Sequence, residues 1–115
     1  MVMFVTITRW TPETARALQE RYMTVVKGTA PKAVLDAFAK FKIITEVTSL
    51  PSNIAVMVYE LADKDFVEAN NAAIYLQDVC TQETFPVITI EDWVQVTEAV
   101  PLAKIPKPEP WYSAK

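Results

Sequence analysis

Two glutamates, Glu46 and Glu91, three rings, Trp10, Tyr59 and Trp93, and one thiol, Cys80, are the side chains whose type and place could support chemistry. If both carboxylates point into one interior, they could bind a cation or act as acid and base. Strand carboxylates otherwise serve as solvated edge residues that discourage aggregation. The rings could line a pocket for a flat apolar ligand, although a subunit interface uses the same residue types. Cys80 falls near a helix C-terminus on an apolar stripe, where thiolate formation is disfavoured, so no nucleophilic role is expected of it. Asn70 and Asn71 could hydrogen-bond a ligand from a helix or fill a polar gap. Asp63, Asp65 and Glu68 resemble a metal cluster by count, but a helix start, where negative charge complements the dipole, accounts for them. No metal site is expected.

Composition removes much of the usual repertoire. The 115 residues include no histidine, which excludes Ser-His-Asp and Cys-His dyads, His-ligated haem and nearly all common zinc sites. A single glycine, Gly28, excludes a glycine-rich phosphate loop of the Rossmann or P-loop kind. No cofactor is expected, and no catalytic residue is assigned. With one cysteine there can be no intrachain disulfide, which fits a reducing compartment. The net charge of -3 and the absence of a Lys/Arg cluster argue against nucleic acid as a partner. Apolar runs are strand-length, far short of the roughly 20 residues that span a bilayer, so no membrane segment is expected. No basic n-region precedes a signal-like stretch, so Met1 is expected to begin a cytoplasmic protein.

The elements that must position these residues follow from periodicity. Met1 to Thr8 alternates as a strand, and Thr11 with Pro12 and Glu13 predicts a helix start. Ala15, Leu18, Tyr22 and Val25 form one apolar helical stripe, Gly28 ends the helix, and Pro31 opens a shorter one with Val34 and Phe38 inward. Phe41 to Leu50 and Ile54 to Leu61 predict two strands joined by a turn at Pro51-Ser52-Asn53. Asp63 is the expected N-cap of a helix whose stripe is Phe66, Ala69, Ala73, Leu76 and Cys80. Thr81 to Phe85 is expected as a loop and Pro86 to Val96 as the last strand.

The order βα(α)ββαβ predicts an α+β, ferredoxin-like fold: a four-stranded antiparallel sheet with its helices on one face. With Met3, Val5 and Ile7 taken as the helix-facing set, the uncovered face carries Phe4, Thr6, Thr8 and Trp10. Alternation adds Ala55, Met57 and Tyr59, or their neighbours, from strand three and Thr89, Glu91 and Trp93 from strand four. Such a face is too apolar for solvent, so it is expected to meet a second copy of itself in a homodimer.

The opening MVMFVTITRWTPE, the passage SNIAVMVYELADKDFVEA and the closing FPVITIEDWVQV carry a resemblance to the dimeric α+β-barrel proteins. More narrowly, the chain resembles a small bacterial and archaeal family of unknown function within that class. The resemblance spans roughly Met1 to Val96 and implies two ferredoxin-like sheets paired face to face around a shared cavity. The longer first crossover and the proline-rich tail depart from it. That superfamily also includes cofactor-independent monooxygenases and haem-using enzymes, and the missing histidine speaks against the latter.

The domain is expected over residues 1–96, followed by a proline-rich arm over 97–115 that is extended and docks through Trp111 and Tyr112, on its own subunit or across a partner. The leading functional expectation is a non-catalytic or weakly catalytic homodimer that binds a small apolar or aromatic molecule in the barrel interior, lined by Thr6, Thr8, Trp10, Tyr59, Glu91 and Trp93. One alternative is a cofactor-independent, monooxygenase-like enzyme. Another is an accessory or assembly subunit of a larger protein complex.

Overall fold

Alternating Val, Phe, Thr and Ile residues open the chain as strand β1 (Val2–Arg9) in a computed structural model that describes the backbone of residues 2–99 and the side chains of 2–95. Helix α1 (Ala15–Val26) begins three residues after the Pro12 start expected from sequence. Thr11 and Thr14 explain the delay. The Thr14 N–H donates to the Thr11 carbonyl (3.1 Å), and the Thr11 N–H donates back to Thr14 Oγ1 (3.2 Å). Pro12 and Glu13 are thereby held in a turn ahead of the helix. At the other end Gly28 takes φ +73°, its N–H reaches the Val25 carbonyl, and the Thr29 N–H reaches that of Thr24. This paired closure of the last carbonyls needs a left-handed residue, which glycine supplies without a Cβ penalty.

Pro31 leads into α2 (Lys32–Ala39), which buries Val34 and Ala37. Strands β2 (Lys42–Ser49) and β3 (Ile54–Leu61) form the expected hairpin, with Asn53 left-handed at φ 52°. A 3₁₀ turn at Asp63–Asp65 runs into α3 (Phe66–Leu76). Its buried stripe is Ala69, Ala72 and Leu76, followed by Val79, while Phe66 is 52% exposed and Cys80 lies beyond the helix.

The C-terminal third differs from the sequence expectation. Strand β4 is Thr81–Pro86, the segment expected as a loop, and residues 90–99 form helix α4 (Ile90–Ala99) where a strand was expected. Val87, Ile88 and Ile90 favour a strand by type, but Thr89 overrides them as an N-cap. Its hydroxyl accepts from the Asp92 N–H (3.1 Å), and its carbonyl accepts from the Trp93 N–H (3.0 Å). Glu91 and Asp92 then complement the first-turn dipole. Residues 97–99 continue α4, and the rest of the proline-rich arm, with Trp111 and Tyr112, lies outside the described residues.

The sheet order is β2-β3-β1-β4 with every neighbouring pair antiparallel, which is the ferredoxin-like arrangement. Its two faces are assigned oppositely to the expectation. Phe4, Tyr59 and Leu61 pack with Ala69 of α3, and Phe4 also meets the Phe66 ring at 5.4 Å. The even-numbered residues of β1 therefore face the helices. Packing volume gives the reason: an alanine-lined α3 leaves room for rings, and Phe4, Tyr59 and Phe41 fill it with ring contacts of 5.9 and 4.8 Å. Met3, Val5 and Ile7 lie on the other face, in register with Val58, Val56 and Phe85. Among the described residues no helix is long and apolar enough to cross a membrane.

Candidate functional site

Between α3 and β4 the helix layer does not close over the sheet. Small residues on α3, Ala69 and Ala73, stand opposite Thr6 and Thr84, and an inner chamber of about 220 Å³ remains. Met57, Leu61 and Phe66 make its walls mainly apolar. The chamber shares Asn70, Ala73, Gln82 and Thr84 with an outer groove of about 610 Å³ that runs along α3 toward Cys80. Together they form one trench.

Its polar floor is a chain of three hydroxyls. Tyr59 shares a 2.9 Å hydrogen bond with Thr6, and Thr6 shares a 2.8 Å bond with Thr84. Thr6 and Tyr59 are 7% and 4% exposed, whereas Thr84 is exposed. Polarity is thus relayed from a buried ring to an accessible hydroxyl. Asn70 and Gln82 add amide groups along the rim. This arrangement can hydrogen-bond a carbonyl or hydroxyl on a small flat molecule whose body lies against Met57, Leu61 and Phe66. Among the described residues no carboxylate, lysine or arginine lines the trench.

Cys80 ends the outer groove. Its thiol donates to the Leu76 carbonyl at 3.3 Å, and burial, then the negative charge of Asp78, pushes its pKa up. It is therefore a thiol at neutral pH. Arg21 of α1 clamps the adjoining corner, donating to both carboxylate oxygens of Asp78 (2.8 and 3.1 Å) and to the Tyr75 carbonyl (2.6 Å). Among the described residues no group of three His, Cys, Asp or Glu side chains could hold a metal ion.

The six residues expected to share one lining are divided. Thr6 and Tyr59 belong to the trench. Thr8 and Trp10 lie on the same face of the sheet but line a separate groove beneath α1. Glu91 and Trp93 are in α4, not on a strand, and Trp93 is 58% exposed. Glu46 and Glu91 consequently do not sit on opposing edge strands. Thr84 and Gln82 were missed because their segment was expected as a loop; its Thr and Phe content was the available strand signal. Asp63, Asp65 and Glu68 occupy the turn and first residues of α3, with Glu68 near Lys40 (3.9 Å).

The family described as a domain of unknown function, DUF3303, matches residues 2–101, and the chain belongs to it. Two solved structures, each described as a dimeric ferredoxin-like protein from an uncultured marine organism, are similar to the chain. One is 12% identical and covers 78% of this chain and 95% of its own, with a TM-score of 0.46. The other is 21% identical and covers 77% and 98%, with a TM-score of 0.38. A comparison with curated proteins gives no match.

Proposed function

We propose that this member of the DUF3303 family is a non-catalytic binding module that takes a small, largely apolar or aromatic molecule bearing one carbonyl or hydroxyl group. The site is the trench between α3 and β4, not an interior between paired sheets. The observation that carries the reading is the Tyr59–Thr6–Thr84 hydroxyl chain, which delivers oriented polarity to a chamber with apolar walls. The lining supports binding rather than acid–base turnover, because its described members offer amides, hydroxyls and a thiol whose ionisation burial disfavours, and no carboxylate, lysine or arginine.

The same reading makes the protein a homodimer joined through the sheet face opposite α1, α2 and α3, a pairing that leaves the trench free. That face carries Val5, Ile7, Val47, Val56, Val58 and Phe85 in contiguous register. The ion pairs Arg9–Glu83 (2.8 Å) and Lys42–Glu60 (3.9 Å) flank it. An apolar centre with charges at the margin is the pattern of a subunit interface. The one-cysteine composition suits a cytoplasmic setting.

Acetophenone titrated into labelled protein tests the site by NMR. A fragment of that size is expected to bind with Kd on the order of 1 mM. Shifts should centre on Thr6, Ala73 and Thr84, and Ala73→Leu, which fills the chamber, should abolish them. Saturable binding elsewhere, or none, would overturn the assignment. Sedimentation at micromolar concentration tests the dimer, and monomer alone would exclude it.

A further inference from the structure

Helix α1 crosses the sheet without closing on it. Its apolar stripe of Ala15, Leu18 and Tyr22 faces the sheet, yet none of its residues is buried. Its C-terminal half is fastened to α3 by a 2.8 Å hydrogen bond between Thr24 and Tyr75, and to the turn after α3 by the Arg21–Asp78 pair. The N-terminal half therefore stands over Thr8 and Ala55 with a groove of about 740 Å³ beneath it. This volume lies in the range of small-molecule sites.

The groove differs from the trench in charge. Glu46 of β2 lines it and accepts a hydrogen bond from the Tyr22 hydroxyl at 3.4 Å. The other carboxylates on the sheet, Glu60 and Glu83, are each matched by Lys42 or Arg9. Among the described residues Glu46 has no such cation. Arg16, which also lines the groove, is turned to Glu20 at 3.4 Å. Tyr22 stands against the uncompensated carboxylate, and Trp10 lines the same groove. Tyr22 is braced edge-on against Phe38 (6.4 Å), and the Trp10 backbone N–H donates to the Asn53 carbonyl (3.2 Å). Burial and the charge of Glu46 both raise the Tyr22 pKa, so its hydroxyl stays protonated and donates to the carboxylate.

We propose that the groove beneath α1 is a second binding site, selective for a protonated amine carried on an apolar or aromatic body. The ammonium group is drawn to Glu46 and the ring of Tyr22, and the body lies along Trp10, Leu18 and Leu50. Anions are rejected, since they would meet the carboxylate. This site is independent of the trench, with which it shares none of the residues that line it.

The test compares three probes of similar shape: phenethylamine, neutral 2-phenylethanol and anionic 3-phenylpropanoate. Binding is followed by the NMR shift of the Trp10 indole N–H. The amine should bind about fivefold more tightly than the alcohol, the scale an exposed ion pair supports, and the anion should not bind. Glu46→Gln, at an exposed position, should reduce the amine to the level of the alcohol while leaving acetophenone shifts at Thr6 and Ala73 unchanged. Equal binding of amine and anion, an amine affinity indifferent to Glu46→Gln, or no response at Trp10 would each overturn the proposal. Because shifts at Thr6 and Ala73 report on the trench and those at Trp10 on the groove, failure of either site is distinguished from failure of the other.

Discussion

The hydroxyl chain makes a quantitative claim that a double-mutant cycle can check. Tyr59→Phe removes one hydroxyl from a residue only 4% exposed, but Thr6 keeps its 2.8 Å partner Thr84. The loss should be about 1 kcal/mol, the net value of a single hydrogen bond. Thr6→Val preserves shape but strands the Tyr59 hydroxyl, whose partner is Thr6 at 2.9 Å. Leaving a buried hydroxyl unpaired costs about 2 kcal/mol, moderated if water entering the chamber reaches it. In the double variant no ring hydroxyl remains to be stranded, and Thr84, being exposed, turns to solvent. Its destabilisation should therefore fall short of the summed single effects by about 1 kcal/mol. Urea unfolding at one fixed protomer concentration measures all four corners, the concentration being held because association would shift apparent stability. Additivity within about 0.3 kcal/mol would refute the chain as a coupled unit.

Three further outcomes follow from the geometry. Asp78 is held below its ordinary carboxylate value of 3.8, first by the hydrogen bond from Arg21, so its stabilising contribution is present above that value and lost as pH falls through the lower folded pKa. Melting temperatures of wild type and Asp78→Asn should thus differ at pH 7 and converge at low pH; parallel curves would contradict the pairing. Cys80 should react with iodoacetamide at pH 8 more slowly than a free thiol and accelerate as pH rises, because burial disfavours its thiolate; rapid labelling at neutral pH would contradict that burial. Val47→Asp alters a side chain 59% exposed in the monomer, so the subunit should keep its fold while sedimentation shows dimer affinity reduced by roughly two orders of magnitude. An unaltered dimer would place the interface elsewhere.

What could be seen in the sequence was governed by how many residues share in each signal. The strand-helix order through Leu76 rests on long periodic runs and on Gly28 and Asn53, and the structure matches it apart from end residues. The last strand rested on β-branched residues at 87–90, where one threonine cap outweighs intrinsic preference. The signal was present: Thr89 followed by Glu91 and Asp92, with Ile90, Trp93 and Val94 at helical spacing. Misplacing that strand moved Glu91 and Trp93 onto the wrong element and hid Gln82 and Thr84. The face of β1 could not be chosen by alternation, since Met3, Val5 and Ile7 are more aliphatic than Phe4, Thr6 and Thr8. Three-dimensional volume decides instead, because rings fit against the alanines of α3 and compact aliphatic side chains would leave them uncovered.

That inversion bears on how the protein is held together. The helix layer is a thin source of burial: α1 buries nothing, α3 buries two alanines and one leucine, and among the described residues no large side chain falls below 2% exposure. The trench and the groove are the spaces such a layer leaves. A larger residue at Ala73 or a tighter seat for Leu18 would strengthen the subunit and close a site, so recognition on this face is obtained at the expense of its packing. Further apolar burial is available on the opposite face, where Val47 and Phe85 are exposed and Ile7, Val56 and Val58 only half-buried, in contiguous rows. In the dimer proposed above, association through that face supplies what the helix side forgoes, which lets one sheet carry a rigid join on one surface and two unfilled cavities on the other.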